Sequence, residues 1–307
     1  MCKMSLDDDC GVGSNSDSDR PKTPLEEDCC GSGCTPCVFD VHKTLLREWE
    51  NRKLRKVKIK PNSNLLSLLS YKTFIVTDIS EISEEYFLVH LDYPESRIEN
   101  NVSLHLTPGQ YVMLHSWCKS RPYTPITWTH KSLVFLVKVY KRGEFSVRLT
   151  NASIGSTIDV RGPYGDFKYK NNSFQQVVMF GIGSGIAALY PVAKAIVDDE
   201  TESTRVHLVA GFQSLAQVPL KTELRQLVNY WNFKCTLQLS QLNDKNTASL
   251  HGFNTRAGRL SKLHVIDYLQ SNDTETTLIL ICGTPEFNQS TREWIEEMNY
   301  AHIHIFD

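Results

Sequence analysis

Short apolar runs separated by turn residues dominate residues 71–172. The runs lie at 74–76, 87–89, 112–114, 133–140 and 158–160. The pairs Pro108-Gly109 and Gly162-Pro163 supply turns between neighbouring runs. Closely spaced strands with few helices predict a small antiparallel β-barrel domain over 71–172.

Strands and helices alternate from residue 175 to residue 307. Apolar runs typical of buried strands lie at 177–180, 206–210, 235–239, 278–281 and 303–306. Helical segments separate them at 186–197, 220–230, 261–269 and 287–298. This alternation predicts an α/β domain whose parallel sheet is covered by helices on both faces. The fold class is therefore α+β multidomain, and a ligand of the second domain is expected beyond the carboxyl ends of its strands.

The region before the barrel divides into three parts. Residues 1–26 are rich in Asp, Glu, Ser and Gly, which predicts a disordered acidic tail. Residues 27–58 form a short module, in which a cysteine cluster precedes a helix marked by Val41, Leu45 and Trp49. Basic residues surround that stripe, and we interpret them as a solvated face in preference to a docking surface for an acidic partner. Residues 59–70, with Pro61 and several Ser and Asn, indicate a linker.

The charge balance and the lack of long apolar segments argue against several classes of protein. Lys plus Arg number 33 and Asp plus Glu 35, a formal net charge of −2, so non-specific nucleic-acid binding is not expected. There is no run of about 18 apolar residues, so no membrane span is expected. The polar N-terminus is unlike a signal or transit peptide, and we expect a cytoplasmic protein by default. An oligomeric state is not indicated.

The first candidate for ligand binding is Arg121-Pro122-Tyr123-Thr124-Pro125-Ile126. Arginine offers a forked, permanently charged donor set that suits a diphosphate. Tyrosine offers a flat ring and threonine a small hydroxyl, so the motif has the chemistry to grip a flavin and its pyrophosphate. The alternative is a Pro-rich turn with a surface arginine and a half-buried tyrosine, and the six residues alone do not decide between the two.

Two further candidates lie where predicted strands end. Gly181-Ile182-Gly183-Ser184-Gly185 separates a strand from a helix, and glycines there let a phosphate approach free backbone N–H groups. Many such segments are only tight turns. Cys282-Gly283-Thr284-Pro285 follows another strand, and its thiol is small and polarisable enough to lie against a reacting ring. The alternative for Cys282 is a buried core cysteine.

Taken together and in this order, the three motifs resemble the ferredoxin-reductase superfamily, and within it the NADH–cytochrome b5 reductase family. The resemblance covers roughly residues 71–307. Residues 136–140, Arg161-Gly162-Pro163 and the aromatic end His304-Ile305-Phe306 also match. Upstream, residues 29–40 resemble the short oxidoreductase-like N-terminal module. The resemblance implies an FAD-binding barrel followed by an NAD(P)-binding domain.

The resemblance also implies individual roles. Arg121 would bind the FAD pyrophosphate, Tyr123 would pack on the isoalloxazine ring, and Thr124 would lie near flavin N5. Pro122 would shape the turn. The other implied cofactor-binding residues are Leu136, Lys138 and Tyr140 beside the flavin; Phe145 and Ser146 at the pyrophosphate-binding helix; Gly183, Ser184 and Gly185 facing the nicotinamide nucleotide; and Gly283 and Pro285 near the nicotinamide. Cys282 would lie beside that ring, and Thr124 and Cys282 are the implied catalytic residues.

The implied activity is an FAD-dependent reductase that passes electrons from NADH to a one-electron acceptor such as cytochrome b5. NADPH is also a candidate donor. A different acceptor, such as an iron–sulfur protein, is a second possibility. The alternative from another class is a degenerate reductase fold that serves as a binding or assembly module through its Cys-rich N-terminus.

The chain departs from the family pattern at three places. Glu144 stands where the family usually has a lysine, and its carboxylate would repel a phosphate. The Gly-rich turn ends in Ala187-Ala188 instead of Thr-Pro, so a hydroxyl contact to flavin is missing. Leu239-Ser240-Gln241 lacks the acidic residue that often favours NADH over NADPH.

The cysteine cluster Cys29, Cys30, Cys34 and Cys37 has its own alternatives. Its spacing could hold a zinc ion or an iron–sulfur cluster. Cys34 and Cys37 alone could cycle as a dithiol. Because a zinc ribbon needs a second, distant pair of ligands, we favour a reduced structural or partner-binding patch. An odd total of nine cysteines argues against a disulfide scaffold.

Overall fold

The computed structural model describes residues 20–29, 36–55, 64–97, 102–140, 142–241 and 252–307. The predicted tail over 1–26 lies outside this range except for its last residues. The first helix, α1, is Val38–Arg55, which confirms the predicted helix of the upstream module. It packs on the segment before it: His42 Nε2 lies 3.4 Å from the carbonyl oxygen of Pro21, and the cations of Arg20 and Lys53 lie over the Trp49 ring.

Within the described residues, the barrel has seven antiparallel strands and one short α-helix. They are β1 Lys72–Ser83, β2 Tyr86–Asp92, β3 Tyr111–Ser116, β4 Lys119–Tyr123, β5 Pro125–Trp128, β6 Ser132–Lys138, α2 Glu144–Thr150 and β7 Thr157–Tyr164. Their order in the sheet is β4-β3-β7-β1-β2-β6-β5. The two edge strands, β4 and β5, are joined by the single residue Thr124. The sheet therefore curls back on itself, because its opposite edges meet at that residue, and the predicted barrel is confirmed.

Strands β4 and β5 correct the prediction for the first motif. The resemblance implied a turn shaped by Pro122, whereas Arg121-Pro122-Tyr123 ends one strand and Pro125-Ile126 begins the next. Proline removes a ladder donor, so it lowers the sequence-based expectation of a strand. Both prolines are tolerated here because β4 and β5 are edge strands.

The predicted linker over 59–70 is corrected for its second half. Leu65 and Leu66 are buried in the barrel core, 5% and 2% exposed. The backbone N–H of Leu65 donates to the carbonyl oxygen of Ser103 at 2.8 Å. Two adjacent leucines gain several kcal/mol, about 1.5–3 each, by leaving water, so this stretch packs on the barrel.

In the part of the chain that the structure describes, the second unit is a six-stranded parallel sheet with helices on both faces, as predicted. Its elements are β8 Gln176–Ile182, α3 Ile186–Val197, β9 Arg205–Phe212, α4 Lys221–Val228, β10 Phe233–Leu239, β11 Asn254–Ala257, α5 Lys262–Leu269, β12 Thr277–Cys282, α6 Pro285–Glu296 and β13 His302–Phe306. The strand order is β11-β10-β9-β8-β12-β13. One apolar cluster lies on the α3–α4 face and another on the α5–α6 face. Strand β11 was not predicted, because its residues Asn-Thr-Arg-Ala are mostly polar.

The strand order reverses between β8 and β12, the position where ligands bind in such sheets. These strands pair in register, with Gly181 opposite Cys282. The Gly-rich turn and the Cys-Gly turn, about 100 residues apart in the chain, therefore emerge side by side at the carboxyl edge. No helix in the described part of the chain is long and apolar enough to cross a membrane.

Candidate active site

A cleft of about 810 Å³ separates the barrel from the carboxyl edge of the parallel sheet. The barrel contributes residues of β3, β4, β6 and α2 and the segment after β7. The α/β unit contributes the turns after β8 and β12 together with β13. The predicted residues that line it are Arg121, Pro122, Tyr123, Thr124, Leu136, Lys138, Tyr140, Phe145, Ser146, Ser184, Gly185, Cys282 and Gly283. The structure therefore gathers all three sequence motifs around one space.

One end of the cleft is cationic. Arg121 lines it from β4, and its Nη1 donates to the carbonyl oxygen of Ser120 at 2.7 Å, which orients the guanidinium. Lys119 and Arg142 line the same end. Helix α2 begins after Gly143 with no side-chain cap, so its first N–H groups are free to meet an anion. This end suits a phosphate or diphosphate.

Ser146 shapes this end of the cleft through the backbone. Its hydroxyl donates to the carbonyl oxygen of Gly143 at 3.0 Å and accepts the backbone N–H of Tyr140 at 3.4 Å. The side chain is 5% exposed. Both hydrogen-bonding roles of the hydroxyl are thus occupied within the protein, and Ser146 holds the segment that presents Arg142 and Gly143.

The middle of the cleft is aromatic and apolar. The Tyr123 ring lies 6.0 Å from the Phe145 ring at a 31° tilt, and it meets Phe135 edge-on at 6.2 Å. Burial raises the pKa of Tyr123 to about 12, and Tyr140 adds to the rise, so its phenol stays neutral near pH 7. Leu136 adds a buried aliphatic wall. A cationic end next to a flat apolar region fits a ligand that joins a diphosphate to a planar ring system.

The negative charge of Glu144 is paired with two neighbouring cations. Its carboxylate accepts a hydrogen bond from Lys119 and lies 3.0 Å from Arg148 Nη2. The bond from Lys119 lowers the pKa of Glu144, and Arg148 adds to the effect. The expected repulsion of a phosphate is therefore offset by cations on either side. Lys119, which we did not predict, brings an ammonium group to this part of the cleft from the neighbouring strand.

A second cavity of about 800 Å³ adjoins the first. The remaining predicted residues, Gly183 and Pro285, line it. Gly183 has a φ of +55°, a conformation that glycine adopts without strain. Gly185 has no room for a side chain, because a Cβ there would overlap the carbonyl oxygen of Cys282. Gly185 therefore lets the turns after β8 and β12 approach each other closely.

Four residues line both cavities: Lys138, Tyr140, Ser184 and Gly283. Two come from the end of the barrel strand β6 and the residues after it, and two from the turns of the parallel sheet. The Tyr140 and Ser184 hydroxyls lie 3.2 Å apart, within hydrogen-bonding distance. Lys138 Nζ lies 3.7 Å from Glu85 Oε2. Ligands in the two cavities would meet at this junction.

Cys282 lines the first cavity at the end of β12. Burial, with a smaller contribution from Asp307, raises the pKa of its thiol to about 12. The side chain is therefore a neutral, polarisable thiol at pH 7 and not a thiolate nucleophile. Thr284 caps α6 by accepting the N–H of Phe287 at 3.3 Å, and Pro285 occupies the first turn, which anchors the Cys-Gly turn.

Sequence reasoning missed an aromatic cluster in the cleft. Phe167 lies 4.7 Å from His304 and 5.1 Å from Phe306, measured between ring centroids. All three side chains line the cleft. The aromatic end of the chain was noted as a family match but received no role, because nothing local indicates that β13 returns to the barrel.

The cysteine cluster is only partly within the described residues. Cys29 and Cys37 are free thiols of intermediate exposure, whereas Cys30 and Cys34 lie outside the described residues. Within the described ranges, no group of three or more His, Cys, Asp or Glu side chains is arranged to hold a metal ion. The proposed ligand set therefore stays a prediction.

Three family models match the chain. The oxidoreductase FAD-binding domain matches residues 73–169, and the oxidoreductase NAD-binding domain matches residues 179–293. The N-terminal model of oxidoreductase-like proteins matches residues 18–58. The barrel and its cationic cleft thus coincide with an FAD-binding model, and the parallel sheet with an NAD-binding model.

Curated relatives match over most of their length. The chain is 32% identical over 287 residues to the NADH-cytochrome b5 reductase-like protein of Mus musculus, covering 88% of this chain and 89% of the relative. It is 30% identical to the Homo sapiens protein of the same name, covering 88% of each. An NADH-cytochrome b5 reductase 1 of Dictyostelium discoideum is 30% identical and covers 66% of this chain and 71% of the relative.

Solved structures share the fold at lower identity. The cytochrome b5 reductase domain of Ulva prolifera nitrate reductase superimposes with a TM-score of 0.68 at 21% identity, over 78% of this chain and 99% of that one. A ferredoxin NADP+ reductase from Neisseria gonorrhoeae, with bound FAD and NADP, gives a TM-score of 0.63 at 17% identity, over 76% and 97%. The two-unit architecture is therefore that of the ferredoxin reductases.

Proposed function

Since the chain belongs to the cytochrome b5 reductase family of FAD- and NAD-binding oxidoreductases, we propose that it oxidises NADH or NADPH through FAD and passes the electrons singly to an acceptor. The proposed acceptor class is a haem protein, such as the cytochrome b5 in the relatives' names. Each turnover would yield one oxidised dinucleotide, one proton and two electrons, which reduce two one-electron acceptors.

The observation that carries this proposal is the junction of the two cavities. Lys138, Tyr140, Ser184 and Gly283 line both, so a ligand in each would meet there. Holding two reacting groups in contact replaces a bimolecular encounter. This lowers the activation free energy by several kcal/mol, up to about 7–11 kcal/mol. When bound, FAD supplies a ring that accepts a hydride and releases electrons one at a time.

The protein's own residues would bind and orient the two partners. Arg121 and Arg142 suit the pyrophosphate of FAD by charge, with the uncapped start of α2, and Lys119 offsets the negative charge of Glu144 beside them. Tyr123 and Thr124 lie where the opposite edges of the barrel sheet meet, and they suit the flavin ring. Gly183, Ser184 and Gly185 allow the nicotinamide nucleotide to approach the backbone. Pro122, Leu136, Phe145, Ser146 and Pro285 support these contacts.

Cys282 and Thr124 are the proposed catalytic contacts. Because the thiol of Cys282 is neutral, it can lie beside the nicotinamide, exclude water and orient the ring without reacting itself. Thr124 links β4 to β5, so its position is defined by both strands. Hydride transfer needs no general base, and none is assigned.

An absorbance spectrum tests the proposal directly. We expect purified protein to show flavin bands that bleach on anaerobic addition of NADH or NADPH and recover when oxidised cytochrome b5 is added. The Arg121→Gln variant should retain less FAD. Arg205→Gln, at the amino end of β9 and so opposite the cleft, should retain as much as the wild type. Colourless protein that takes up no added FAD would contradict the proposal. Bleaching without reduction of cytochrome b5 would support the proposed oxidation of the dinucleotide through FAD and would show that the acceptor is a different protein.

A further inference from the structure

We propose that Glu85 is a positioning residue, which holds the ammonium group of Lys138 at the junction of the two cavities and ties it to the α/β unit through Gln217. The inference rests on the proposed function, because the donor and the flavin would meet at this junction. None of the three sequence motifs includes Glu85 or Gln217.

The ammonium group of Lys138 needs neighbours that fix its position. Among the four described residues that line both cavities, Lys138 alone is charged. Lysine carries this charge at the end of a flexible four-carbon stem, so the surrounding groups decide where the charge lies. Two of these groups are aromatic: Nζ lies 5.5 Å from the ring centroid of Tyr86 and 5.5 Å from that of Tyr140. At such distances a ring face attracts a cation.

The carboxylate of Glu85 is the third neighbour. Its Oε2 lies 3.7 Å from Lys138 Nζ, and the side chains of Lys138 and Glu85 are 22% and 31% exposed. The pair is therefore partly shielded from water, which strengthens the attraction relative to a pair on the open surface. Glu85 is not among the described residues that line either cavity. It therefore acts on the junction through Lys138 and not by contact with a ligand.

The same carboxylate oxygen also contacts the α/β unit. Gln217, a buried residue of the short helical turn Leu215–Gln217 after β9, donates its Nε2 N–H to Glu85 Oε2 at 3.2 Å. The backbone N–H of Glu84 donates to the carbonyl oxygen of Ala216 at 3.1 Å in the same turn. One oxygen atom thus contacts a lysine of the barrel and an amide of the α/β unit. The position of Lys138 is therefore linked to the alignment of the two units.

The backbone of Glu85 is held in an uncommon conformation. Its φ is +68°, in the left-handed region that costs energy for residues other than glycine. Such a conformation persists where the surrounding contacts fix it. The carbonyl oxygen of Glu85 accepts the backbone N–H of Val139 at 2.8 Å, and the next residue, Tyr86, pairs with Lys138 between β2 and β6. The turn between β1 and β2 therefore places the carboxylate beside the end of β6.

A fixed ammonium group at the junction matters for the proposed reaction. Hydride transfer would move negative charge from the ligand of one cavity to the ligand of the other. A charge that is already in place favours this movement, because nothing has to rearrange at the moment of reaction. Without Glu85, the flexible side chain of Lys138 would lose its carboxylate partner and could turn away from the junction.

Acetylation of lysines tests the position of Lys138 without any reaction of the flavin. The purified full chain is treated with N-hydroxysuccinimidyl acetate, without added donor, and the sites are quantified by peptide mass spectrometry. Glu85→Gln removes the charge but keeps an amide oxygen for Gln217, so Lys138 should be acetylated about two- to fivefold faster, as the loss of one ion pair predicts. Lys131, at the opposite end of β6 and 27% exposed, should react at the same rate in both proteins. Glu84→Gln, an exposed neighbour, is the matched control and should leave both rates unchanged.

Flavin bleaching in stopped flow tests the consequence for the reaction. At saturating donor, Glu85→Gln should slow bleaching by about two- to fivefold, without a rise in the KM for the donor, whereas Glu84→Gln should match the wild type. Because Glu85 acts through Lys138, the same substitution in a Lys138→Met background should cause no further slowing.

The outcomes separate this inference from the proposed function. Unchanged acetylation of Lys138 in Glu85→Gln would overturn the inference and leave the proposed reductase standing. Equal slowing by Glu85→Gln with and without Lys138 would do the same, because Glu85 would then act only as a contact between the two units. Wild-type protein whose flavin is not bleached by either donor would overturn the proposed function. The acetylation rates would still decide in that case whether Glu85 holds Lys138.

Discussion

The hydroxyl of Tyr140 lies 3.2 Å from the hydroxyl of Ser184 and so joins the barrel to the parallel sheet where the two cavities adjoin. Tyr140 follows β6, and Ser184 belongs to the Gly-rich turn after β8. Both residues line both cavities. The contact therefore helps to set the alignment of the two units at the junction where hydride transfer is proposed.

Removing this contact should slow flavin reduction more than it lowers stability. One such hydrogen bond contributes about 0.5–1.5 kcal/mol, so Tyr140→Phe and Ser184→Ala should each reduce the rate of flavin bleaching by up to about tenfold. Stopped-flow absorbance with saturating donor measures this rate. Tyr230→Phe removes an exposed hydroxyl near the other edge of the sheet and serves as the control. An unchanged rate in both variants would show that the contact does not control alignment.

The pairing of Lys119 with Glu144 predicts opposite effects of two neutralising substitutions. Lys119→Gln leaves the carboxylate beside the cationic end of the cleft, so FAD should bind severalfold more weakly. Glu144→Gln frees the ammonium group to face a phosphate, so FAD should bind as tightly as before or more tightly. Equilibrium titration of the apoprotein with FAD measures both. Glu297→Gln, which breaks a surface ion pair with Lys262 remote from the cleft, should have no effect. A shift in the same direction for both substitutions would contradict the pairing argument.

Gly185→Ala tests the close approach of the two turns. A Cβ at this position would overlap the carbonyl oxygen of Cys282, so the backbone must shift. We expect a loss of more than about 2 kcal/mol in the free energy of unfolding, as for overpacked sites, and a fall in flavin reduction. Gly155→Ala meets open space and has only its positive φ of 89° to accommodate, at a cost of about 1 kcal/mol. Equal costs for the two variants, measured by urea unfolding, would show that the turns can separate freely.

The raised pKa of Cys282 predicts slow alkylation. Because only the thiolate reacts quickly, and the pKa of this thiol is about 12, iodoacetamide at pH 8 should modify the exposed Cys118 well before Cys282. Peptide mass spectrometry over a time course compares the two sites in one sample. Modification of Cys282 should accelerate in urea, where burial is lost. Equal rates in the native protein would mean that Cys282 is accessible or ionised.

Buried His207 predicts a loss of stability in acid. Burial lowers its pKa from 6.5 to about 4, and Lys234 and Arg256 add to the shift. The folded state therefore binds fewer protons than the unfolded state between these values. Protonation therefore favours the unfolded state as the pH falls. The free energy of unfolding is undiminished above pH 6.5 and decreases by about 3 kcal/mol as the pH falls from 6.5 to 4.

The His207→Gln variant isolates this contribution. Glutamine can keep the hydrogen bond to Thr236, which His207 Nε2 now makes at 2.9 Å, but it does not titrate. The difference in unfolding free energy between pH 7 and pH 4 should be smaller in this variant than in the wild type. The exposed His130→Gln variant should match the wild type. A parallel decline in all three proteins would show that His207 does not contribute.

The local sequence pattern was sufficient to predict the elements whose apolar residues form continuous runs. The runs at 177–180 and 278–281 lie in β8 and β12, and the predicted helix over 186–197 is α3. Burial on both faces of a parallel sheet requires such runs, so their identity does not depend on their neighbours. Strands β4 and β5 were missed because Pro122 and Pro125 oppose strand formation in isolation.

The residues of the candidate site were likewise predicted only where their local sequence was informative. The three motifs were predicted from residue chemistry, the expected order and the family resemblance, and the structure brings all of them to two adjoining cavities. Their roles with FAD and the nicotinamide nucleotide remain predictions. Lys119, Arg142 and the cluster around Phe306 were missed, since nothing in their local sequence indicates which distant segment they meet.

The sequence by itself determined the order of the two units, the types of most elements and the residue chemistry of the three motifs. These depend on hydrophobic period and on side-chain types, which are local properties of the chain. Only the tertiary structure decided that Lys119 neutralises Glu144, that Tyr140 meets Ser184 and that Gly181 lies opposite Cys282. The physical reason is that ion pairing, hydrogen bonding and burial depend on distance in space, and packing brings together residues that are 25 to 44 positions apart.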